Sequence, residues 1–363
     1  MKIRGLDKSK SNKYPRIKID TDIIKSNTDN IISKFDGELV GVTKGVCGDI
    51  EIAKKMIEGG ITTLGDSRIE NIKKLKENLD VNLMLLRTPM LSEIKEVVKY
   101  ADISLNTEFE VLKSISKEAV KQKVQHKTII MVDVGDRREG VMPENVIPFF
   151  EKIKNLKNLR ILGIGTNVGC FGGILPTFEN TNLLVDLTKK VQIKLDLDLS
   201  VISGGSTVTL KLMENNKLPK EINQLRIGEG ILLGTSVSQN REIPYLNQNA
   251  FEIEAEIIEF KEKPSKPKGK VGHDAFGGEP KFNDKGRKKR AILAIGKQDT
   301  SPMSLRPLRN NVKILGASSD HTIVDVNEVN EDIKVGNTLS FRPDYSGLLK
   351  SFTSKYVFKE YLL

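Results

Sequence analysis

The stretch LVGVTKGVCGDIEIA, residues 39–53, runs from an apolar segment through a lysine and a glycine-flanked turn into the start of a helix. A charged amine at the end of a buried strand must be solvated, paired or used in chemistry. Asp49 precedes the helical segment as its cap, and paired glycines end it at residues 59 and 60. The stretch is therefore one strand–turn–helix unit with Lys44 at the carboxyl end of its strand.

The same unit recurs along the first two thirds of the chain. Each repeat has a short apolar run, a polar residue at its end and a segment with helical spacing. The predicted strands span residues 39–44, 61–67, 82–88, 102–106, 127–134, 161–167, 199–205 and 224–230. Eight consecutive strand-and-helix units favour a closed (β/α)8 TIM barrel over an open doubly wound sheet.

The pattern changes after about residue 245. In AFEIEAEIIEF (250–260) apolar residues alternate with glutamates, which is the period of a strand with one solvated face. Further strand-like runs follow, separated by turn residues. We therefore predict a barrel over residues 1–240 and a smaller, mostly β C-terminal domain over residues 241–363.

The composition excludes several classes of protein. The 363 residues are 38% hydrophobic and 29% charged, and the sequence contains neither a membrane span nor an apolar leader, so we expect a cytoplasmic protein. The net charge of +10 does not indicate nucleic-acid binding, because lysines alternate with acidic residues on helical faces without interleaved aromatic residues. Two cysteines and three dispersed histidines predict neither a disulfide framework nor a metal site.

In barrels of this kind, functional residues lie at the carboxyl ends of the strands. The residues predicted there form a largely cationic set: Lys44, Asp66, Arg68, Arg87, Asn106, Asp133, Arg138, Asn167, Ser203 and Arg226. The last two strands end in SGGST (203–207) and RIGEG (226–230), whose small residues let backbone amides approach a phosphate. A lysine, a phosphate site and an arginine suit pyridoxal 5'-phosphate, whose aldehyde condenses with an amine, and they also suit aldolase chemistry on sugar phosphates.

The order of the motifs resembles that of the pyridoxal-phosphate-dependent alanine racemase family, and the resemblance covers nearly the whole chain. PRIKIDTDIIKSN (15–27) is similar to the family's opening segment. VTKG (42–45) is similar to the strand that ends in the cofactor-bearing lysine, which implies this role for Lys44. VDVGDRREGV (132–141) resembles the segment whose arginine, here Arg138, engages the cofactor and the substrate carboxylate.

A third motif completes the implied cofactor site. LRIGEGILLG (225–234) resembles the segment whose arginine, here Arg226, bonds the pyridine nitrogen, and phosphate-binding amides follow at Gly228 and Glu229. Together with the residues of the neighbouring strand ends, the implied cofactor-binding residues are Lys44, Asn167, Ser203, Ser206, Arg226, Gly228 and Glu229.

The C-terminal domain also resembles that of the family. KVGHDAFG (270–277) and ILAIGKQDT (292–300) are similar to paired segments of the family's β domain. ILGASSDHTIVDV (314–326), which contains Ser319, resembles the stretch that approaches the active site of a partner subunit. The resemblance therefore implies a homodimer whose β domains complete the two active sites.

Two segments, TNVGCFGG (166–173) and AIGKQDTSP (294–302), resemble the ornithine or alanine/ornithine racemase branch. Other positions depart from alanine racemases. Lys297 stands where they have a tyrosine that acts as second base, and Asn167 stands where they have a cofactor-stacking histidine. The lysine that is carbamylated in some members is replaced by Met131. The tyrosine-based half of the family mechanism therefore does not carry over.

Racemisation needs the α proton to leave one face of the substrate and return on the other, so two bases are the economical solution. We expect Lys44 to be one base and Lys297 of a partner subunit to be the other, with Asp299 or Cys170 as alternatives. The residues expected to bind the amino-acid substrate are Arg138, Ser319 and Asp299.

The substrate itself is less clearly indicated by the sequence. Ornithine carries a distal ammonium that needs an acidic partner. Candidates in the β domain are Asp274, Glu279, Asp299 and Asp344. An alanine or broad-specificity racemase, a non-catalytic protein of pyridoxal phosphate homeostasis and an enzyme of aldol cleavage remain as alternatives.

Overall fold

A computed structural model of the chain describes residues 13–279 and 281–362. These residues form two compact units. One unit spans Thr21–Ala250, and the other combines the described residues up to Asp20 with those from Phe251 onward. Residues 1–12, for which we expect no apolar leader, lie outside the described part. Within this part, no helix is both long and apolar enough to cross a membrane.

The larger unit is a closed barrel of eight parallel strands, which confirms the predicted TIM barrel. After strand β1 (Arg16–Asp20), which belongs to the other unit, comes helix α1 (Thr21–Ile32). The barrel strands are β2 (Glu38–Val42), β3 (Thr63–Asp66), β4 (Asn82–Leu85), β5 (Ile103–Asn106), β6 (His126–Met131), β7 (Leu159–Gly165), β8 (Val201–Ser203) and β9 (Gln224–Ile227). The helices after them are α2 (Ile50–Glu58), α3 (Ile69–Asn78), α4 (Ile94–Tyr100), α5 (Phe109–Gln122), α6 (Val146–Ile153), α7 (Phe178–Leu195), α8 (Leu210–Glu214) and α9 (Glu229–Leu233).

Local sequence explains these elements. The Asp49 carboxylate accepts a hydrogen bond from the Ile52 amide at 3.3 Å, so helix α2 begins at the predicted cap. Ile52, Ala53 and Met56 are buried along one face of α2 at the spacing of helix turns. Burial of such faces against the barrel strands holds the helical layer in place.

A buried polar network joins strands β5 and β6. His126 Nε2 and Ser104 Oγ share a hydrogen bond of 2.8 Å. Asn106, which we expected on the barrel rim, donates from Nδ2 to Ser104 Oγ and to Thr128 Oγ1, both at 2.8 Å. Burial lowers the pKa of His126 to about 4, so the imidazole is neutral in the folded barrel at neutral pH.

The other unit is built on an eight-stranded sheet. Before it, two short strands at the end of the barrel unit, β10 (Thr235–Ser236) and β11 (Arg241–Glu242), pair with each other. The later strands are β12 (Phe251–Pro264), β13 (Arg287–Leu293), β14 (Leu305–Pro307), β15 (Lys313–Ala317), β16 (Thr322–Asp325), β17 (Thr338–Pro343) and β18 (Phe358–Leu362), with helix α10 (Tyr345–Thr353) before β18. Their order is β14-β17-β12-β13-β16-β15, with β1 between β12 and β18. Phe251, Ile253, Ala255 and Ile257 of β12 are buried, as the sequence pattern predicts, but Glu254 on the other face is buried as well.

Strand β1 is the main difference from the expected domain boundaries. We assigned it to the barrel domain, but it pairs antiparallel with β12 and parallel with β18. Arg16 Nε donates to Glu254 Oε2 at 2.5 Å, and Lys18 Nζ donates to Glu254 Oε1 at 2.6 Å. These partners lie 238 and 236 residues apart along the chain, so no local sequence pattern predicts the pairing.

Candidate active site

Lys44 lies at the carboxyl end of the first barrel strand. Strand β2 ends at Val42, and Lys44 opens the 3-10 turn Lys44–Val46. The preceding Thr43 ties this turn to strand β3, because its hydroxyl donates to Asp66 Oδ2 at 2.8 Å and its amide donates to the Gly65 carbonyl at 2.9 Å. The position of the lysine is therefore fixed by the barrel strands.

The environment of the Lys44 amine lowers its pKa. The residue is accessible to solvent, yet protein atoms crowd the amine, and this desolvation disfavours the ammonium form. The charge of Arg138 and, more weakly, that of Arg226 lower the pKa further, whereas Cys170 and Asp66 oppose them. A lysine with a lowered pKa is a better nucleophile and a better proton acceptor near neutral pH.

Arg226 is a buried cation on strand β9. One terminal nitrogen donates to the Thr166 carbonyl at 2.5 Å, and the other donates to Ser203 Oγ. Ser203 Oγ in turn donates to Gln224 Oε1 at 2.7 Å. No carboxylate in residues 13–279 or 281–362 forms an ion pair with Arg226, and burial lowers its pKa to about 10. The guanidinium is therefore suited to donating to an uncharged acceptor.

Two glycine-containing turns lie at the ends of the last two barrel strands. Gly205 has φ +117°, and a Cβ there would lie 2.6 Å from Thr209 Oγ1, so the turn before Ser206 excludes a side chain. Gly228 caps helix α9, and a Cβ there would lie 3.1 Å from a side-chain atom of Val42. Both turns are therefore packed closely against neighbouring side chains.

Glu229 and Asn167 are the remaining cofactor-binding residues that the resemblance implies in the barrel. The Glu229 carboxylate accepts from the Val237 amide at 2.6 Å and from Thr235 Oγ1 at 2.9 Å, so this side chain holds the segment that follows helix α9. Asn167 is half-buried and directly follows Thr166, whose carbonyl Arg226 binds.

Arg138 projects from a closed loop after strand β6. Val132 and Val141 form a β-bridge at the base of this loop. Arg138 Nη1 donates to Cys170 Sγ at 2.7 Å, and the guanidinium forms an ion pair with the adjacent Glu139. The Cys170 thiol, which we considered as an alternative base, therefore accepts a hydrogen bond from Arg138 in this structure.

Sequence reasoning missed two carboxylates of this region, Glu139 and Asp136. Asp136 is buried and accepts hydrogen bonds from the amides of Cys170, Phe171 and Ile174, at 3.4, 3.0 and 3.3 Å. It thereby joins the loop that carries Arg138 to the loop after β7. Both residues stand in the quoted motif VDVGDRREGV, but their acidic side chains among arginines resemble ordinary surface charge.

The C-terminal candidates lie in the β unit. The Lys297 amide donates to the Ser318 carbonyl at 2.9 Å, and the amide of the next residue donates to the Ser319 carbonyl at 3.1 Å, so Lys297 and Ser319 stand on adjoining loops. Lys297 Nζ lies 3.6 Å from the centre of the Phe276 ring. Asp299 is buried, and its carboxylate accepts from the Gly296 amide at 2.9 Å, so it holds the turn that carries Lys297.

The donor set of the barrel fits pyridoxal phosphate. Lys44 supplies an amine of lowered pKa, and Arg226 supplies a buried guanidinium without a carboxylate partner among the described residues. The turns at Ser206 and Gly228 lie at the ends of the last two barrel strands, where backbone amides would hold a phosphate. The described residues contain no group of three or more His, Cys, Asp or Glu side chains that could hold a metal ion.

Comparison with known proteins agrees with this fit. A family model described as the N-terminal domain of alanine racemase matches residues 19–236. The chain is 43% identical over 353 residues to the ornithine racemase of Acetoanaerobium sticklandii, with 96% of this chain and 100% of the relative covered. It is 44% identical over 352 residues to the lysine racemase of Thermotoga maritima, with 96% and 98% covered.

Solved structures share the fold. The alanine racemase of Bartonella henselae, whose crystal structure contains covalently bound pyridoxal phosphate, superposes with a TM-score of 0.73 at 16% identity. The match covers 96% of this chain and 99% of that protein. The resemblance identified from the motifs is thus confirmed by sequence and by fold.

Proposed function

The chain belongs to the alanine racemase family, and from this premise we propose that it interconverts L- and D-ornithine with pyridoxal 5'-phosphate as its cofactor. The observation that carries the proposal is the 43% identity to an ornithine racemase over the full length of that relative. Lysine is the second candidate substrate, because the identity to a lysine racemase is 44% over a similar span. Both amino acids carry a distal ammonium.

In this proposal, different barrel residues bind the substrate and the cofactor. Arg138 would bind the substrate α-carboxylate, since its guanidinium is partly exposed and its charge acts on the Lys44 amine. Arg226 would donate a hydrogen bond to the pyridine nitrogen without protonating it, and Ser203 holds the guanidinium in place. Lys44 and the backbone of Ser206, Gly228 and Glu229 would complete the cofactor site.

Lys44 also acts as the first base in this proposal. Bound pyridoxal phosphate supplies the electron sink that stabilises negative charge at the substrate Cα. The Lys44 amine takes or returns the α proton on one face, which its lowered pKa favours.

For the opposite face we propose Lys297 from the second subunit of a homodimer. Its turn is held by the Asp299 carboxylate, and its amine lies against the exposed Phe276 ring. Ser319, on the adjoining loop, would contact the substrate from the same subunit. We place the protein in the cytoplasm, where the thiols of Cys47 and Cys170, which form no disulfide, stay reduced.

Two alternatives are less well supported. A non-catalytic pyridoxal phosphate protein does not account for near-complete coverage of two racemases that include the C-terminal region. Aldol cleavage is not the activity named for either relative that covers nearly the whole chain at 43–44% identity. Alanine as the main substrate is addressed by the experiment below.

The test is a steady-state assay of the purified protein with L-ornithine, L-lysine and L-alanine, in which chiral chromatography follows formation of the D enantiomer. We expect the highest kcat/KM for L-ornithine or L-lysine. Equal or faster turnover of L-alanine would overturn the assignment of a diamino acid, and the absence of D product from all three would overturn the racemase proposal.

A further inference from the structure

The carboxylates near the mouth of the barrel are almost all engaged in holding the backbone. Asp66 accepts from the Arg68 amide at 3.0 Å and from two side chains. Asp133 accepts from the amides of Gly135 and Arg137, and Asp136 from three amides of the following loop. Groups committed in this way cannot turn towards a substrate without undoing the loops that they hold.

Glu139 differs from these carboxylates. Both of its oxygens contact the guanidinium of Arg138, one at Nε and the other at Nη2. The Arg138 side chain is 35% exposed and that of Glu139 is 33% exposed. Ion pairs with this degree of exposure contribute little to stability, so a ligand can separate them at small cost.

The backbone under this pair is fixed. A Cβ on Gly140 would lie 2.2 Å from the Asp133 amide nitrogen, and the Val141 amide donates to the Met131 carbonyl at 2.8 Å. The base of the loop is therefore held in place, and the Arg138–Glu139 ion pair directly precedes it.

The pair also lies within the cationic cluster of the site. The charge of Arg138 acts on Lys44, and the charges of Glu139 and Arg138 both act on Arg226. Glu139 is thus a negative charge with an exchangeable partner among three catalytic and binding cations.

We propose that Glu139 is the specificity residue that binds the distal ammonium of a diamino-acid substrate. The substrate brings one carboxylate and one distal ammonium, and these replace the two halves of the internal ion pair. Arg138 exchanges the Glu139 carboxylate for the substrate carboxylate, and Glu139 exchanges the guanidinium for the substrate ammonium. No proton is transferred and no covalent bond forms or breaks in this exchange. Alanine satisfies Arg138 only and leaves Glu139 without a cation.

This inference rests on the proposed function, and it is an alternative to the four acids that sequence analysis put forward. One of them, Glu279, is an exposed side chain of the β unit. Asp274 accepts from the amides of Phe276 and Gly278, both at 2.8 Å. Asp344 accepts from the Gly347 amide at 3.0 Å as the cap of helix α10, and Asp299 holds its own turn. These three carboxylates accept hydrogen bonds from backbone amides, as the aspartates of the barrel mouth do.

The test compares Glu139→Gln with wild type in the holoenzyme, and Glu144→Gln serves as the matched control because Glu144 is exposed on the next 3-10 turn. We expect kcat/KM for L-ornithine and L-lysine to fall about 10- to 100-fold in Glu139→Gln, the loss of one charge-assisted hydrogen bond. For L-alanine kcat/KM should not fall, and Glu144→Gln should match wild type with all three substrates.

A merely structural role for Glu139 gives a different result. If Glu139 only positions Arg138, its replacement lowers kcat/KM for all three amino acids by a similar factor, and this outcome overturns the inference. Glu139→Asp keeps the charge and should keep the preference for ornithine over alanine. Titration of the absorption of the bound cofactor with each amino acid gives a Kd, and the same selectivity should appear there without turnover.

The proposal and its premise fail in distinguishable ways. If wild type racemises neither diamino acid, the proposed function is wrong and the inference falls with it. If wild type prefers ornithine and Glu139→Gln prefers it by the same ratio, only the role of Glu139 is overturned.

Discussion

The buried imidazole of His126 makes the stability of the barrel depend on pH. Its pKa is lowered to about 4 by burial, whereas in the unfolded chain it is about 6.5. A depressed pKa means that the unfolded chain takes up a proton first as the pH falls. The contribution of His126 to stability is therefore fully present above about pH 6.5 and is lost as the pH falls towards 4.

The expected size of this effect follows from the two pKa values. Between about pH 7.5 and about pH 5 the unfolded state gains nearly one proton on this residue, which lowers the free energy of unfolding by about 2 kcal/mol. Because the residue is only 2% exposed, solvent screening does not reduce this figure much. His126→Asn should lack this part of the pH dependence, although it also loses the bond to Ser104 and is less stable at both pH values.

The assay is urea unfolding of wild type and His126→Asn at both pH values. The control is His273→Asn, which removes an exposed histidine. The drop in free energy of unfolding between the two pH values should be about 2 kcal/mol larger in wild type and in His273→Asn than in His126→Asn. An equal drop in all three proteins would refute the reasoning.

Two further predictions concern the loops that carry the active-site residues. Gly140→Ala should lower the free energy of unfolding by at least about 1–3 kcal/mol more than Gly135→Ala in thermal or urea unfolding, because a strained contact is added. The two glycines have φ +142° and +140°, but a Cβ at 135 would lie 3.7 Å from its nearest neighbour. Similar losses in both variants would contradict the role of the contact at Asp133. Lys297→Gln should slow conversion of L- to D-ornithine about 100-fold or more, as expected for loss of a base, while ornithine still perturbs the cofactor absorption. An unchanged rate would exclude Lys297 as the second base.

Much of the barrel could be predicted from the sequence because its strands and helices are specified by short stretches of neighbouring residues. Each strand–turn–helix unit carries its own apolar run and its own cap, as at Asp49, and neighbouring units pair in chain order. The assignment of β1 could not be predicted in this way. Its partners, such as Glu254, lie more than two hundred residues further along the chain, and pairing at that distance leaves no local pattern.

The site shows the same division. Lys44 and Arg226 stand at strand ends, where the barrel fold concentrates function, so their positions follow from the strand pattern. Asp136 and Glu139 lie in a loop whose path is set by a close contact at Gly140 and by bonds to a second loop. Only the three-dimensional arrangement distinguishes the acid that holds a backbone from the acid that holds an exchangeable side chain.

The most direct test of the account is α-proton exchange of L-ornithine in deuterated water, followed by NMR and chiral chromatography, with wild type and Lys44→Ala. Lys54→Ala, which removes an exposed lysine of helix α2, is the control. We predict that wild type and Lys54→Ala incorporate deuterium at Cα and form D-ornithine, whereas Lys44→Ala does neither and shows no cofactor absorption band. Retention of that band or of deuterium incorporation in Lys44→Ala would contradict the assignment of Lys44 as the cofactor-bearing base.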